Sequence, residues 1–228
     1  MDKLSYISED ASSSSSIWLL IRHSERVQPP LDKPFLDAGL TENGYRDAII
    51  FGRHIKRKFP LRVMRLYSSP LKRCIETSKA ILSGIGEKIE IEESIVLGDP
   101  GPYVINDSLA RRSFLDIQPK NIIKMQVDGA KIEGFRDIDE GSAILLDYIL
   151  NHPPPKGLHI FVTHDVIIAA LVGYLIGYVV DQPNRIKYLQ GACFYLLNNR
   201  ILMDVPEGQF DVTDKILSLL PFKRRFLV

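Results

Sequence analysis

An α/β fold, with a mostly parallel central sheet sandwiched between two layers of helices, is predicted by three features of the sequence. A short continuous apolar run at 17–21 (IWLLI) has the pattern of a strand buried on both faces, and the mostly apolar segments 63–67 and 158–162 are further strand candidates. Segments of helical period separate them, so strands and helices alternate. Each of these runs leads into Arg, His, Ser or Thr residues, and in such sheets the reactive groups gather at the carboxyl ends of the strands. The chain of 228 residues is long enough to bury a sizeable core. We expect residues 16–228 to form one domain, with a small inserted cap region at about 98–140.

The elements follow in order. Residues 1–15 are expected to be a flexible leader. They carry Asp2, Glu9 and Asp10, run into the serines at 12–16, and lack the basic start and apolar stretch of a signal peptide. After the strand at 17–21 comes a polar loop with Pro29, Pro30 and Pro34. Thr41 is placed to cap a helix running to about Lys58, with Tyr45, Ala48, Ile49, Gly52, Ile55 and Phe59 as its apolar face. The basic end of that helix, Arg53, Lys56, Arg57 and Lys58, complements the helix dipole.

The second strand is followed by a helix that Ser69 caps, with Pro70 at its first position and Leu71, Cys74, Ile75 and Ile81 on its buried side. Residues 89–91 make a third short strand. The turn-rich segment 97–103 (LGDPGPY) leads into 106–140, which is polar and poorly periodic and predicts short helices of a cap. A helix at 142–150 ends at the prolines 153–155. The strand at 158–162 runs directly into a helix at 165–178. The apolar stretch 166–180 is too short for a membrane span and contains Gly173 and Gly177, so it predicts a buried helix. Residues 193–197, Asn198-Asn199 and 201–204 predict a hairpin.

Composition narrows the function. Apolar residues make up 45% and charged residues 25%, as in an ordinary globular protein. The net charge of +1 excludes a strongly basic nucleic-acid coat, so any recognition of an anion comes from local clusters of Arg. Two cysteines, Cys74 and Cys193, exclude a disulfide scaffold and a Cys-rich zinc site and fit a reducing compartment. A cytoplasmic location is expected, with no membrane and no nucleic-acid partner.

Three clusters carry the chemistry. The first strand ends in Arg22-His23-Ser24-Glu25-Arg26, the second in Ser68-Ser69-Pro70-Leu71-Lys72-Arg73, and that at 158–162 in Thr163-His164-Asp165. Gathered in one pocket, they provide three Arg, two His and one Asp. Arg offers a fork of donors that matches phosphate oxygens, and Arg73 falls in a first helical turn where the backbone dipoles favour an anion. A neutral imidazole is a competent nucleophile toward phosphorus, and adjacent guanidiniums depress its pKa below about 6.5. Asp165, beside a bound phosphate dianion, is expected to carry a proton for the leaving oxygen.

Arg22-His23 after a buried strand resembles the Arg-His-Gly signature of the histidine phosphatase superfamily, with its phosphoglycerate-mutase-like fold. Ser68-Ser69-Pro70 with Arg73 resembles the second phosphate-binding element of that family, and Thr163-His164-Asp165 its second histidine. The resemblance runs from about residue 17 to 197 and leaves 106–140 unmatched. It implies a phosphohistidine on His23, a phosphate clamp of Arg22, Arg73 and His164, hydrolysis by water, and no cofactor or metal.

Two branches of the family are distinguished by details. The mutase-like branch commonly has Ser and Asn where this chain has Arg26 and Pro29. Arg26 resembles the extra phosphate-binding Arg of the acid phosphatase and phytase branch, which also uses a His-Asp pair such as His164-Asp165. The resemblance therefore implies a phosphatase closer to that branch, with Asp165 as proton donor ahead of Glu93 and Asp99. A phosphoglycerate-type mutase and a non-catalytic phospholigand-binding module are the alternatives. Ser24 stands where Gly is usual, so a side chain is expected to crowd the backbone near the phosphate.

His54, His152 and His159 lie outside these clusters and are expected to be surface or structural residues. The run Lys223 to Arg225 fits a solvated tail. The substrate is expected to be a small phosphate ester or a phosphoprotein. Its selection is assigned to 27–39 and 98–140, with Tyr103 in the 97–103 loop as a wall facing the ligand.

Overall fold

The run IWLLI becomes strand β1 (Ser16–Arg22), and its side chains divide between two hydrophobic layers. Trp18 and Leu20 enter one layer, and Ile17, Leu19 and Ile21 enter the other. A strand with no polar face has to be covered on both sides, because its side chains alternate across the sheet. The computed structural model describes residues 3–28, 38–152, 156–177 and 186–220.

The sheet has seven strands: β1, β2 (Val63–Ser68), β3 (Ile91–Glu93), β4 (Gly157–Thr163), β5 (Gly191–Leu197), β6 (Arg200–Val205) and β7 (Gly208–Asp211). Their spatial order is β3-β2-β4-β1-β5-β6-β7. The half formed by β3, β2, β4 and β1 is parallel. The strands beyond β1 continue antiparallel. The hairpin between β5 and β6 turns on Asn198 and Asn199, both at positive φ (50° and 59°), as a tight two-residue turn requires.

One face is covered by α1 (Glu9–Ser13), α2 (Glu42–Lys58) and α3 (Lys72–Ile85). The other is covered by α6 (Ile138–Asn151), α7 (Asp165–Ile176) and α8 (Thr213–Leu219). The expected three layers are therefore present. Between β3 and α6 lie a short helical turn at Ile95–Leu97, then α4 (Asp107–Asp116) and α5 (Pro119–Val127). These two helices form the cap. It is clipped at its base by the bridge between Val104 and Phe135 and by Arg136 Nε donating to the Pro102 carbonyl at 3.0 Å.

Thr41 caps α2 as expected, its hydroxyl accepting the Gly44 N–H at 2.9 Å. The buried face of α2 is Gly44, Ala48, Phe51, Gly52 and Ile55, while Tyr45 turns outward. Close approach of α2 to α3 sets this rotation. A Cβ at Gly52 would lie 2.2 Å from the Ile81 carbonyl oxygen, and one at Gly84 would lie 2.1 Å from that of Ile49. Only glycine lets the two backbones meet so closely.

The structure corrects three expectations. The leader is packed rather than flexible: Leu4, Ile7 and Ala11 are buried against the sheet. Buried Asp204 holds the leader by accepting the Ser8 N–H at 2.7 Å and the Tyr195 hydroxyl at 3.2 Å. The helix expected to start at Pro70 starts at Lys72, with Leu71 in the cap position and no side-chain cap. Ser69 has a different partner, described below. The helix expected at 142–150 begins at Ile138, so the cap ends sooner.

The helix expected at 165–178 stops at Ile176, where Gly177 adopts the left-handed conformation. Among the described residues no helix is long and apolar enough to cross a membrane. The proline loop with Pro29, Pro30 and Pro34, the prolines 153–155, residues 178–180 and the basic run Lys223 to Arg225 lie outside the described residues.

Candidate active site

Strand pairing brings the three clusters together. β4 lies between β1 and β2, with Arg22 opposite Thr163 and Ser68 opposite Val162. The ladder continues past the strand ends: His23 N–H donates to the Thr163 carbonyl, and Ser69 N–H to the Val162 carbonyl, both at 2.9 Å. His164, the next residue after β4, therefore emerges between His23 on one side and Ser69 with α3 on the other. The His23 and His164 rings stand edge to face with centroids 5.5 Å apart.

His23 is 3% exposed, and its Nδ1 lies 2.7 Å from the Ser24 carbonyl oxygen. A carbonyl only accepts, so Nδ1 carries the hydrogen and the ring lone pair is left on Nε2. Burial, reinforced by the charges of Arg73 and Arg22, lowers the His23 pKa to about 3 although the Ser24 bond opposes the shift. His164 is held well below its ordinary value by burial and then by Arg73. Both imidazoles are neutral near pH 7.

His164 is fixed at both nitrogens. Arg73 Nη2 lies 3.4 Å from Nδ1, and Ser69 Oγ lies 2.9 Å from Nε2. A guanidinium only donates, so Nδ1 accepts and Nε2–H donates to Ser69. This is where the supposed helix cap is used. The Cys74 thiol sits 3.7 Å from the same nitrogen, and burial pushes it up to about 12.

Arg73 occupies the first turn of α3, as expected, and is buried. Burial lowers its pKa, while the charges of Asp99 and Asp165 act in the opposite sense. Arg22 bridges two elements: Nη2 lies 3.3 Å from Asp165 Oδ2, and Nη1 donates to the Ile186 carbonyl at 2.8 Å. Asp165 is 8% exposed, and its Oδ1 accepts the N–H of Val166.

The structure thus gathers Arg22, His23, Arg73, His164 and Asp165. Arg26 lies at the rim, with Nη1 donating to the Val27 carbonyl at 3.3 Å, and its charge reaches His164. Asp99 is near Arg111 (3.8 Å), and Glu93 is exposed at the end of β3. Among the described residues no group of three or more His, Cys, Asp or Glu is arranged to hold a metal ion.

Ser24 does not crowd the pocket as expected. Its hydroxyl donates to the Gly44 carbonyl at 2.8 Å and its N–H to Thr77 Oγ1 at 3.0 Å, so the side chain is absorbed by α2 and α3. Tyr188 is a residue that no sequence signal announced. Its ring lies under the Arg22 guanidinium, 4.2 Å from centroid to Cζ, and 5.7 Å from the His23 ring. The neighbouring Leu189 adopts φ 62°, a strained conformation for a residue with a Cβ, while its N–H donates to the Arg22 carbonyl. The other histidines stay outside: His152 pairs with Glu92 at 2.7 Å, His159 is buried within β4, and His54 lies on α2.

Fold and site together define an α/β scaffold whose parallel strand ends hold two imidazoles and two guanidiniums in one buried pocket. The chain belongs to the histidine phosphatase superfamily: the family model for its branch 1 matches residues 18–200. That match does not confirm the expected leaning toward the acid phosphatase and phytase branch. Many solved structures share the fold, among them the three that follow. A putative phosphohistidine phosphatase SixA from Agrobacterium tumefaciens is 17% identical, with a TM-score of 0.50 over 80% of this chain and 93% of that one. A mycobacterial glucosyl-3-phosphoglycerate phosphatase is 15% identical, with a TM-score of 0.52 over 78% and 89%. A phosphoglycerate mutase from Bacillus anthracis is 15% identical, with a TM-score of 0.51 over 89% and 93%. No curated protein matches the chain in sequence.

Proposed function

We propose that the protein is a metal-independent phosphomonoester hydrolase that works through a phosphohistidine on His23. The observation that carries this reading is the tautomer of His23. The Ser24 carbonyl takes the Nδ1 hydrogen, so Nε2 keeps a lone pair inside a pocket that also holds the Arg22 and Arg73 guanidiniums. Phosphate oxygens bind the guanidiniums of Arg22 and Arg73, with Arg26 adding charge at the rim; drawing Arg73 onto the phosphate frees Nδ1 of His164, and a proton taken up there beside the dianion makes this imidazole a third donor.

His23 Nε2 attacks phosphorus, the ester P–O bond breaks, and the leaving oxygen takes a proton from Asp165. The incoming dianion displaces Asp165 from Arg22, and the freed carboxylate takes up a proton from solvent beside that anion before it serves as the acid. Water then attacks the phosphohistidine and gives its proton to the Asp165 carboxylate. The P–N bond breaks, inorganic phosphate leaves and His23 is restored. Asp99 is the second choice as proton donor, because its charge also reaches Arg73.

The substrate is a small phosphate ester or a phosphoprotein, and the protein acts in the cytoplasm, where the buried free thiols of Cys74 and Cys193 remain reduced. The test is a phosphate-release screen over sugar, nucleotide, inositol and protein phosphates with chelator present. Wild type is expected to release phosphate, and the His23→Ala variant to lose at least ~10³-fold in kcat while keeping its fold by circular dichroism. Interconversion of a phosphoglycerate pair without phosphate release would make the protein a mutase. Tight phospholigand binding without labelling of His23 by a phosphodonor would make it a binding module.

A further inference from the structure

A cavity of about 400 Å³, including its open mouth, lies between the cap and α7. Its walls include Pro100 and Tyr103 before the cap, Phe114 and Ile123 on the cap helices, and Val166 and Ala170 on α7. No charged side chain lines it. The Tyr103 hydroxyl is turned away to Ser142 Oγ at 3.2 Å, so the ring presents its apolar body to the space.

Two of these walls are covalently joined to the charged site. Val166 follows Asp165 and donates its N–H to that carboxylate, and Pro100 follows Asp99, whose charge reaches Arg73. The mouth is apolar as well: Val166 is 36% exposed and Phe114 39%, with Phe114 held edge to face against Phe135 at 5.3 Å. Exposed apolar surface at the rim of a polar pocket marks a place where a ligand is desolvated.

We propose that this cavity is the subsite for the leaving group, and that the substrate is a phosphate monoester of a hydrophobic alcohol or phenol. The proposal rests on the hydrolase reading above and gives its substrate class. The phosphoryl group enters the guanidinium–imidazole pocket, and the hydrocarbon runs past Asp165 and Val166 into the space under the cap. The one amide side chain on these walls, Gln126, already donates its Nε2–H to the Arg136 carbonyl at 3.0 Å, so sugar and nucleoside esters find few partners there to replace lost water.

Binding to the full-length His23→Ala protein separates this proposal from turnover. Calorimetry compares 3-phenylpropylphosphonate with methylphosphonate, two non-hydrolysable anions that differ in the hydrocarbon. The aryl compound is expected to bind at least about tenfold tighter. Adding Phe114→Asp at the mouth, or Ala170→Leu in the wall, is expected to reduce that ratio below about threefold. Phe114 is partly exposed, so its replacement tests the mouth even if the buried Ala170→Leu variant fails to fold.

Equal affinity for the two phosphonates overturns the subsite and leaves the phosphate pocket standing. An affinity ratio that survives both substitutions also overturns it. Self-association that Phe114→Asp abolishes, with no preference for the aryl compound, assigns the surface to a second copy of the chain and overturns the proposal. Failure of both phosphonates to bind removes the hydrolase reading and the subsite together.

Discussion

The pocket at the strand ends and the cap beside it are held by different means. In the pocket, polar side chains are buried and each is fixed by a neighbour: His23 by the Ser24 carbonyl, His164 by Ser69 and Arg73, Arg22 by Asp165 and Ile186. In the cap, the contacts are apolar, several large side chains face solvent, and the charged pairs such as Arg111–Asp107 are exposed. Exposed pairs contribute about 0–1 kcal/mol, whereas a buried polar group that loses its partner costs about 1–3 kcal/mol. The difference teaches that the chemistry is built into a rigid sheet end, while the surface next to it can change composition without disturbing the reacting groups.

Asp165→Asn places the largest strain on that division, because Asp165 sits on the boundary between the two regions. If it supplies the proton, kcat for an alkyl phosphate falls by about 10²–10³-fold and that for a p-nitrophenyl phosphate far less, since an activated leaving group needs no acid. Asp99→Asn is then close to wild type on both. The reverse pattern would move the proton donor to the cap side. Equal losses on both esters in Asp165→Asn would leave the residue only an electrostatic role through Arg22.

Acid stability is the next largest effect, and it should belong to the pocket alone. The folded pKa of His23 is lowered to about 3, and that of His164 also lies well below the ordinary value. The unfolded chain binds a proton on each near pH 6.5, while the folded chain does not. The stability they contribute is complete above about pH 6.5. It is lost as the pH falls toward the folded value, at up to about 1.4 kcal/mol per pH unit for each histidine. Urea midpoints measured at pH 7, 6 and 5 should therefore fall less steeply in His23→Gln than in wild type. Arg111→Ala, in the cap, should leave the slope alone. Parallel curves for wild type and His23→Gln would show that the buried imidazoles do not govern acid unfolding.

The same division explains what was legible in the sequence. A strand buried on both faces leaves an unbroken apolar run, as in β1, and the short, mostly apolar segments of β2 and β4 stand out beside the polar clusters that follow them, so these three strands could be read directly. Thr41 and the Asn198-Asn199 pair carry their local chemistry with them. The leader was misread because a run of serines hides the spacing of Leu4, Ile7 and Ala11, and because its anchor, Asp204, is 196 residues away from Ser8. Ser69 has the sequence context of a helix cap, yet a histidine 95 positions later takes its hydroxyl. Ser24 breaks a glycine pattern, but the space for its side chain is made by α2 and α3. Partners so distant leave no local period. The cap is illegible for a different reason: short helices with exposed apolar residues give neither a clean amphipathic stripe nor a buried run.

Tyr188 lies on a third kind of support, a turn outside both regions, and its effect should be the smallest. Its ring underlies the Arg22 guanidinium at 4.2 Å, a contact of about 0.5–2 kcal/mol according to how far it is desolvated. The turn that presents it is clasped to the end of β1 by Leu189 N–H to the Arg22 carbonyl and by Arg22 N–H to the Gln190 carbonyl. Arg22 is thereby held in place before an anion arrives, which lowers the cost of ordering its side chain on binding. Tyr188→Ala should raise KM by about two- to tenfold and leave kcat nearly unchanged, because the ring acts on binding through Arg22 rather than on the reacting atoms. Tyr188→Phe keeps the π face and should restore the wild-type KM. A loss in kcat as well, or a failure of Phe to restore KM, would mean that the phenol hydroxyl reaches the reacting groups and would join this turn to the catalytic pocket.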